Sequence, residues 1–236
     1  MNPDDIDNYA KNFYGYGNWE QPTWFVGMEE GGCATLAEFQ RRLDSWLSNG
    51  CKDLINARKH HEAMGLSKWF RKRAPLQKTW EKLIRIHLSL HERPLDLESI
   101  RHFQINDFGQ ADEGFASLEL FSLPAVSAQS WIYSEIIELP YLINRAVYKY
   151  YLYPKRAEYL RRRILKHKPK QVVIYGLSYR HEWEGIVRRK FKTSPVPDVI
   201  ETSVDSTLVL VIPHPVARGY NQDYWTEVGN YLRTHK

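Results

Sequence analysis

At 236 residues, 43% hydrophobic and 26% charged, the chain has the length and composition of one well-buried core, which excludes a disordered, fibrous or collagen-like protein and leaves two ordinary domains unneeded. Its 33 Lys and Arg against 28 Asp and Glu give a formal charge of +5 and a pI near 9.0, a balance that favours polyanionic partners. With only Cys33 and Cys51, no four-cysteine cluster or zinc site can be built from this chain alone, and both read as reduced thiols.

Residues 1–20 read as a polar N-terminal segment without an apolar signal stretch, and no run of about 18 apolar residues follows, so a cytoplasmic, membrane-free protein is expected. Trp24-Phe25-Val26 is a short strand stopped by Gly27, and the loop from Met28 to Gly32 leads to Thr35, an N-cap for a helix through about Leu47. Leu36, Phe39, Leu43, Trp46 and Leu47 recur at helical spacing and read as core packing. Further helices are expected over 53–64, 75–90 and 95–105. Ala116 to Leu123 reads as a second strand ended by Pro124, and Trp131 and Tyr133 as aromatic anchors to the core.

A basic helix is expected over 155–168, carrying Arg161, Arg162 and Arg163, either a solvated face or a grip on phosphates. Pro169 breaks it before a buried strand, 171–176, and a helix from Ser178 to Phe191 follows. Thr207 to Ile212 is the clearest strand, closed by Pro213-His214-Pro215, with a last helix over 221–233. Four strands alternating with helices predict one α/β domain over 1–236, a three-layer α/β/α arrangement on a mostly parallel four-stranded sheet. Ligands of such sheets bind beyond the carboxyl ends of the strands. His60-His61 and the two cysteines lack metal-site spacing, and no metal or cofactor is expected.

Two loops at those ends, Gly27-Met28-Glu29-Glu30-Gly31 and His214-Pro215-Val216-Ala217-Arg218-Gly219-Tyr220, resemble the paired motifs of the uracil-DNA glycosylase superfamily. The first is similar to the GMNPG and GQDPY forms, with Glu29 at the place of their Asn or Asp and Glu30 replacing a proline. The resemblance follows element order from Trp24 to Tyr231. It implies a DNA glycosylase working as a monomer on single-stranded DNA or on a base flipped from a duplex. Glu29 and His214 would be catalytic, with Met28, Glu30, Phe121 and Ser122 around the base. Gly31, Gly32, Pro215, Arg218, Gly219 and Tyr220 would lie against the DNA.

Cleaving an N-glycosidic bond builds positive charge on the sugar and negative charge on the departing base, so a carboxylate and a donor imidazole on opposite sides lower the barrier. Glu29 would orient and deprotonate water, and His214 would hydrogen-bond the leaving base. No lysine occurs in either motif, so a monofunctional enzyme leaving an abasic site is expected. No Asn stands at Leu120 to Pro124, where members of the superfamily place a base-reading Asn, and the paired acids could accept hydrogen bonds from amino or hydroxyl groups. A modified cytosine is the resulting substrate expectation, such as the glucosylated hydroxymethylcytosine that some defence enzymes resembling this superfamily remove; DNA repair is the other role. Two other readings stand beside this one. Gly176-Leu177-Ser178-Tyr179-Arg180 resembles a nucleophile elbow, with Asp205 and His214 completing a serine hydrolase triad. In the second, the protein binds DNA without chemistry and Glu29 is a solvated loop charge.

Overall fold

The computed structural model describes residues 1–110, 114–127 and 129–235. Its strands are β1 (Gly15–Tyr16), β2 (Thr23–Gly31), β3 (Leu54–Ile55), β4 (Ala116–Ala125), β5 (Gln171–Tyr175), β6 (Lys192–Thr193), β7 (Ile200–Val204) and β8 (Thr207–Ile212). They form one sheet in the order β3-β1-β4-β2-β5-β8-β7-β6. The sheet therefore has eight strands among the described residues where four were expected. The four expected strands are its parallel centre, β4-β2-β5-β8, and antiparallel pairings on both flanks make the whole mixed. The missed strands have a physical reason in common: β1, β3 and β6 are two residues each, too short to show a period of two. β7 alternates weakly and is recruited by β8 through a tight turn in which Asp205 takes a left-handed conformation.

The helices α1 (Pro3–Asn12), α2 (Leu36–Ser48), α3 (Ala57–Ala63), α4 (Lys78–Leu90), α5 (Leu97–Asn106), α6 (Arg145–His167), α7 (Arg180–Val187) and α8 (Gln222–Arg233) surround the sheet. Thr35 caps α2 by accepting from the Glu38 amide, and Asn221 caps α8 by accepting from the Tyr224 amide. The N-terminal segment is not featureless: α1 buries Ile6, Tyr9 and Ala10, and Tyr9 packs edge-on against Phe39 and Trp46 of α2. Pro124 does not end β4. Between the pairs Glu29↔Phe121 and Gly31↔Ala125, β2 advances two residues and β4 four, and this irregularity accommodates a residue without an amide hydrogen.

The largest difference lies in α6, which starts ten residues before the expected Lys155 and runs straight through Pro154. A proline inside a helix forfeits the bond to the carbonyl four residues earlier, here that of Tyr150, and reads as a boundary. Packing overrides it, because Tyr148 and Leu152 before the proline and Ala157, Leu160 and Ile164 after it are all buried on one core-facing side. Arg156, fully buried, adds a tie of its own. Its Nη1 donates to the Ala10 carbonyl at 2.9 Å and its Nη2 to those of Phe13 and Glu119 at 2.7 and 3.1 Å. Its Nε reaches the Leu120 carbonyl, and the guanidinium lies 3.9 Å from the Tyr14 ring centre. One side chain thus pins α6 and the end of α1 onto β4, fixing the elements that bring Arg145 and Lys149 to the end of β2.

Candidate active site

β2 lies between β4 and β5, and Glu29 stands near its carboxyl end, largely enclosed. Two cations from the first turns of α6 face it. The Arg145 Nε donates to Glu29 Oε2 at 3.1 Å, the Arg145 Nη2 pairs with Oε1, and Lys149 Nζ lies 3.6 Å from Oε2. Neither cation was legible as a site residue, because the proline after them hides the helix that carries them.

His214 follows the end of β8, two strands from β2 with β5 between. At about 4.8 Å per strand, the Glu29 and His214 strands are roughly 10 Å apart, and no hydrogen bond joins the two side chains among the described residues. The Val216 amide donates to His214 Nδ1 at 3.3 Å, which in the neutral ring places the proton on Nε2. Although His214 is exposed at the surface, the protein packed around its ring lowers it below the usual imidazole range, favouring that neutral donor form. The ring meets Tyr175, the last residue of β5, edge to face at 5.6 Å.

Under this edge, Tyr175 Oη donates to Glu119 Oε1 of β4 at 2.9 Å, reaching across β2 where Gly27 stands. A Cβ at Gly27 would fall 2.2 Å from Tyr175 Oη and 2.3 Å from Glu119 Oε2, so the first motif needs glycine there for space. Glu119 Oε2 is buried without a hydrogen-bond partner. Burial, with the Glu30 charge adding to it, pushes this carboxyl up to about 8. Its folded value exceeds its unfolded one, so its stabilising contribution is full below about 4.5 and is lost as pH rises to about 8. Between pH 5 and 8, wild-type stability should therefore fall by up to about 1.4 kcal/mol per pH unit relative to Glu119→Gln. Parallel urea unfolding curves at pH 5, 6.5 and 8 measure this, and parallel pH profiles for the two proteins would refute it.

Glu30 turns into a second network. Tyr16 Oη lies 3.0 Å from both its oxygens, the buried Arg42 Nη1 donates to Oε2 at 2.5 Å, and His61 Nε2 stands 3.7 Å from Oε1. His61 Nδ1 donates to the Ala57 carbonyl at 2.8 Å, and burial depresses its pKa, so Nε2 is left as an acceptor facing a carboxylate oxygen. A cavity of about 300 Å³ opens here, lined by Glu30, Gly31, Gly32, His61, Trp69 and Trp80. A larger one, about 770 Å³, is lined by Met28, Phe121, Lys149, Tyr153 and Tyr179 among others. Glu29 sits in sequence between the residues lining each.

The expected base pocket is thereby divided. Met28 and Phe121 line the larger cavity and Glu30 the smaller. Ser122 lines neither, because it is buried with its hydroxyl donating to the Ala10 carbonyl at 2.9 Å. Among the expected DNA-facing residues, Gly31, Gly32, Arg218 and Gly219 are exposed, and a Cβ on any of the three glycines would meet nothing within 4 Å. Pro215 is buried, and Tyr220 is tied to Asp198 Oδ2 at 2.9 Å. In the basic run, Arg161 donates to the Val187 carbonyl and Arg163 pairs with Asp53, which ties both to the fold, while Arg162 lies on the solvated face and pairs with Glu158 one turn away. Trp131 and Tyr133 bond to the carbonyls of Leu142 and Pro124, as core anchors do.

No family model matches the chain, and no curated protein is significantly similar to it. The site must be read from its own geometry. That geometry separates the serine triad: Asp205 precedes β8 and His214 follows it, putting roughly 20 Å of strand between them. No helix among the described residues is long and apolar enough to cross a membrane.

Proposed function

We propose that the protein is a DNA glycosylase, hydrolysing the N-glycosidic bond of a flipped or single-stranded nucleotide to leave an abasic site. The observation that carries this reading is the placement of Glu29 and His214 at the carboxyl ends of β2 and β8, on either side of β5. The spacing admits a nucleoside between a carboxylate on its sugar side and a neutral Nε2–H donor on its base side. The parallel centre β4-β2-β5-β8 carries both motifs at one edge, which supports a three-layer arrangement like that of the uracil-DNA glycosylase superfamily. Phosphates flanking the target would draw Arg145 and Lys149 away from Glu29, freeing its carboxylate for water only when DNA is bound.

Towards β1, on the side of β2 away from His214, Glu30 Oε1 and His61 Nε2 form an acceptor pair that suits an amino or hydroxyl donor carried on a bulky base substituent. A modified cytosine meets that demand, and a defence role in the cytoplasm fits such a substrate. Tyr150, 86% exposed on the rim of the larger cavity, offers a stacking face to a neighbouring base.

The test is incubation of the protein with single- and double-stranded DNAs carrying uracil, hypoxanthine, hydroxymethylcytosine or its glucosylated form. Free bases are read by mass spectrometry and abasic sites by alkaline cleavage. Release from a cytosine-derived base is the expected result; release from none, with DNA still bound, returns the non-catalytic reading. The ion pairs around Glu29 favour that second reading, since a purely structural carboxylate would be held the same way.

A further inference from the structure

Lys149 belongs to neither motif, yet the fold sets its amine 3.6 Å from Glu29 Oε2 and on the wall of the 770 Å³ cavity. That volume lies within the range of ordinary small-ligand sites, about 300–1,000 Å³. The amine stands 5.4 Å from the ring centres of both Phe121 and Tyr179. Arg188 and Arg189 line the same cavity. A partly enclosed amine, a carboxylate in reach of it and cations along the wall are the parts needed to attack an aldehyde on an anionic chain.

We propose that Lys149 forms an imine with the open-chain aldehyde of an abasic deoxyribose, giving the protein a DNA lyase activity. This rests on the glycosylase reading for the source of the abasic site, and it replaces the expectation of a monofunctional enzyme. The neutral amine adds to C1′, and the carbonyl oxygen leaves as water once protonated, giving an iminium. Glu29 then takes a proton from C2′. The C2′–H electron pair becomes the C2′=C3′ double bond, and the C3′–O bond breaks with its electrons leaving on the 3′ phosphate. Hydrolysis returns the water and frees Lys149 and an unsaturated aldehyde, so no oxidant or reductant is consumed. Burial, reinforced by the Arg145 charge and opposed by Glu182, brings the Lys149 ammonium down to about 8, while the Glu29 carboxylate at 3.6 Å favours the charged form and is placed to take the proton the amine must lose.

The test uses the full chain and a labelled oligonucleotide carrying one preformed abasic site, with sodium borohydride or sodium chloride added, followed by denaturing electrophoresis and peptide mapping of any adduct. The expected result is a borohydride-dependent covalent species mapping to Lys149, with the yield reduced at least roughly tenfold in Lys149→Gln and in Lys149→Arg, which keeps the charge beside Glu29 but has no nucleophilic amine. Absence of a covalent species, or an adduct mapping to another lysine or to the N-terminus, overturns the proposal. Mapping is done on the wild-type protein, so a variant that fails to fold does not cloud the answer. Because the abasic site is supplied ready-made, base release without an adduct removes the lyase alone. An adduct on Lys149 without base release from any DNA removes the glycosylase reading alone.

Discussion

Glu29→Gln should lower base release by about 10²- to 10⁴-fold, the span that a positioned general base contributes. The amide can still orient water through its oxygen, but it cannot take a proton, and its neutral dipole stabilises a sugar cation far less than a carboxylate does. The same change leaves Arg145 and Lys149 facing an uncharged group, with both cations available to phosphate. DNA should therefore bind more tightly to the variant, with a steeper salt dependence, while turnover falls. Fluorescence anisotropy across a salt series, paired with single-turnover base release, measures the two together. If turnover survives and only affinity changes, Glu29 is an ion-pair partner and the chemistry lies elsewhere.

Arg156→Met should be the most damaging single change away from the site, destabilising the fold by about 3 kcal/mol or more. Methionine can fill much of the volume but replaces none of the guanidinium's bonds to the carbonyls of Ala10, Phe13, Glu119 and Leu120, of which Ala10 alone keeps a side-chain donor, the Ser122 hydroxyl. For a chain of this length that corresponds to a fall of roughly 10 °C in Tm. Arg156→Lys should be intermediate, since an ammonium keeps the charge but cannot reach acceptors spread over α1, β4 and the turn between α1 and β1 with one planar fork. Thermal melts of the three proteins decide it, and a methionine variant within about 1 kcal/mol of wild type would show that water or relaxation satisfies those carbonyls. Because α6 is seated on β4 through this residue, the methionine variant should also weaken the contact of Arg145 and Lys149 with Glu29.

The parallel centre of the sheet was legible because β2, β5 and β8 carry dense apolar runs buried on both faces and β4 carries the run Leu118, Leu120, Phe121 and Leu123. The helix start at Thr35 was legible for a similarly local reason, a side-chain oxygen placed to accept from an amide three residues on. His214 could be proposed because it follows a strand whose end a local pattern located; Glu29 was expected in a loop after Gly27 and instead lies within β2, which pairing with β4 carries on to Gly31. What surrounds them could not be read that way. Lys149 and Arg145 reach Glu29 from a helix that local rules break at Pro154, and only packing of both its halves against the core keeps it continuous. Glu119, Tyr175 and Gly27 meet because three strands lie side by side in register, and Tyr16, Arg42 and His61 converge on Glu30 from three different elements. Strand and helix signals are short-range and additive along the chain, whereas the charge partners of a buried carboxylate are chosen by which distant elements the core brings together, and that choice belongs to the tertiary structure.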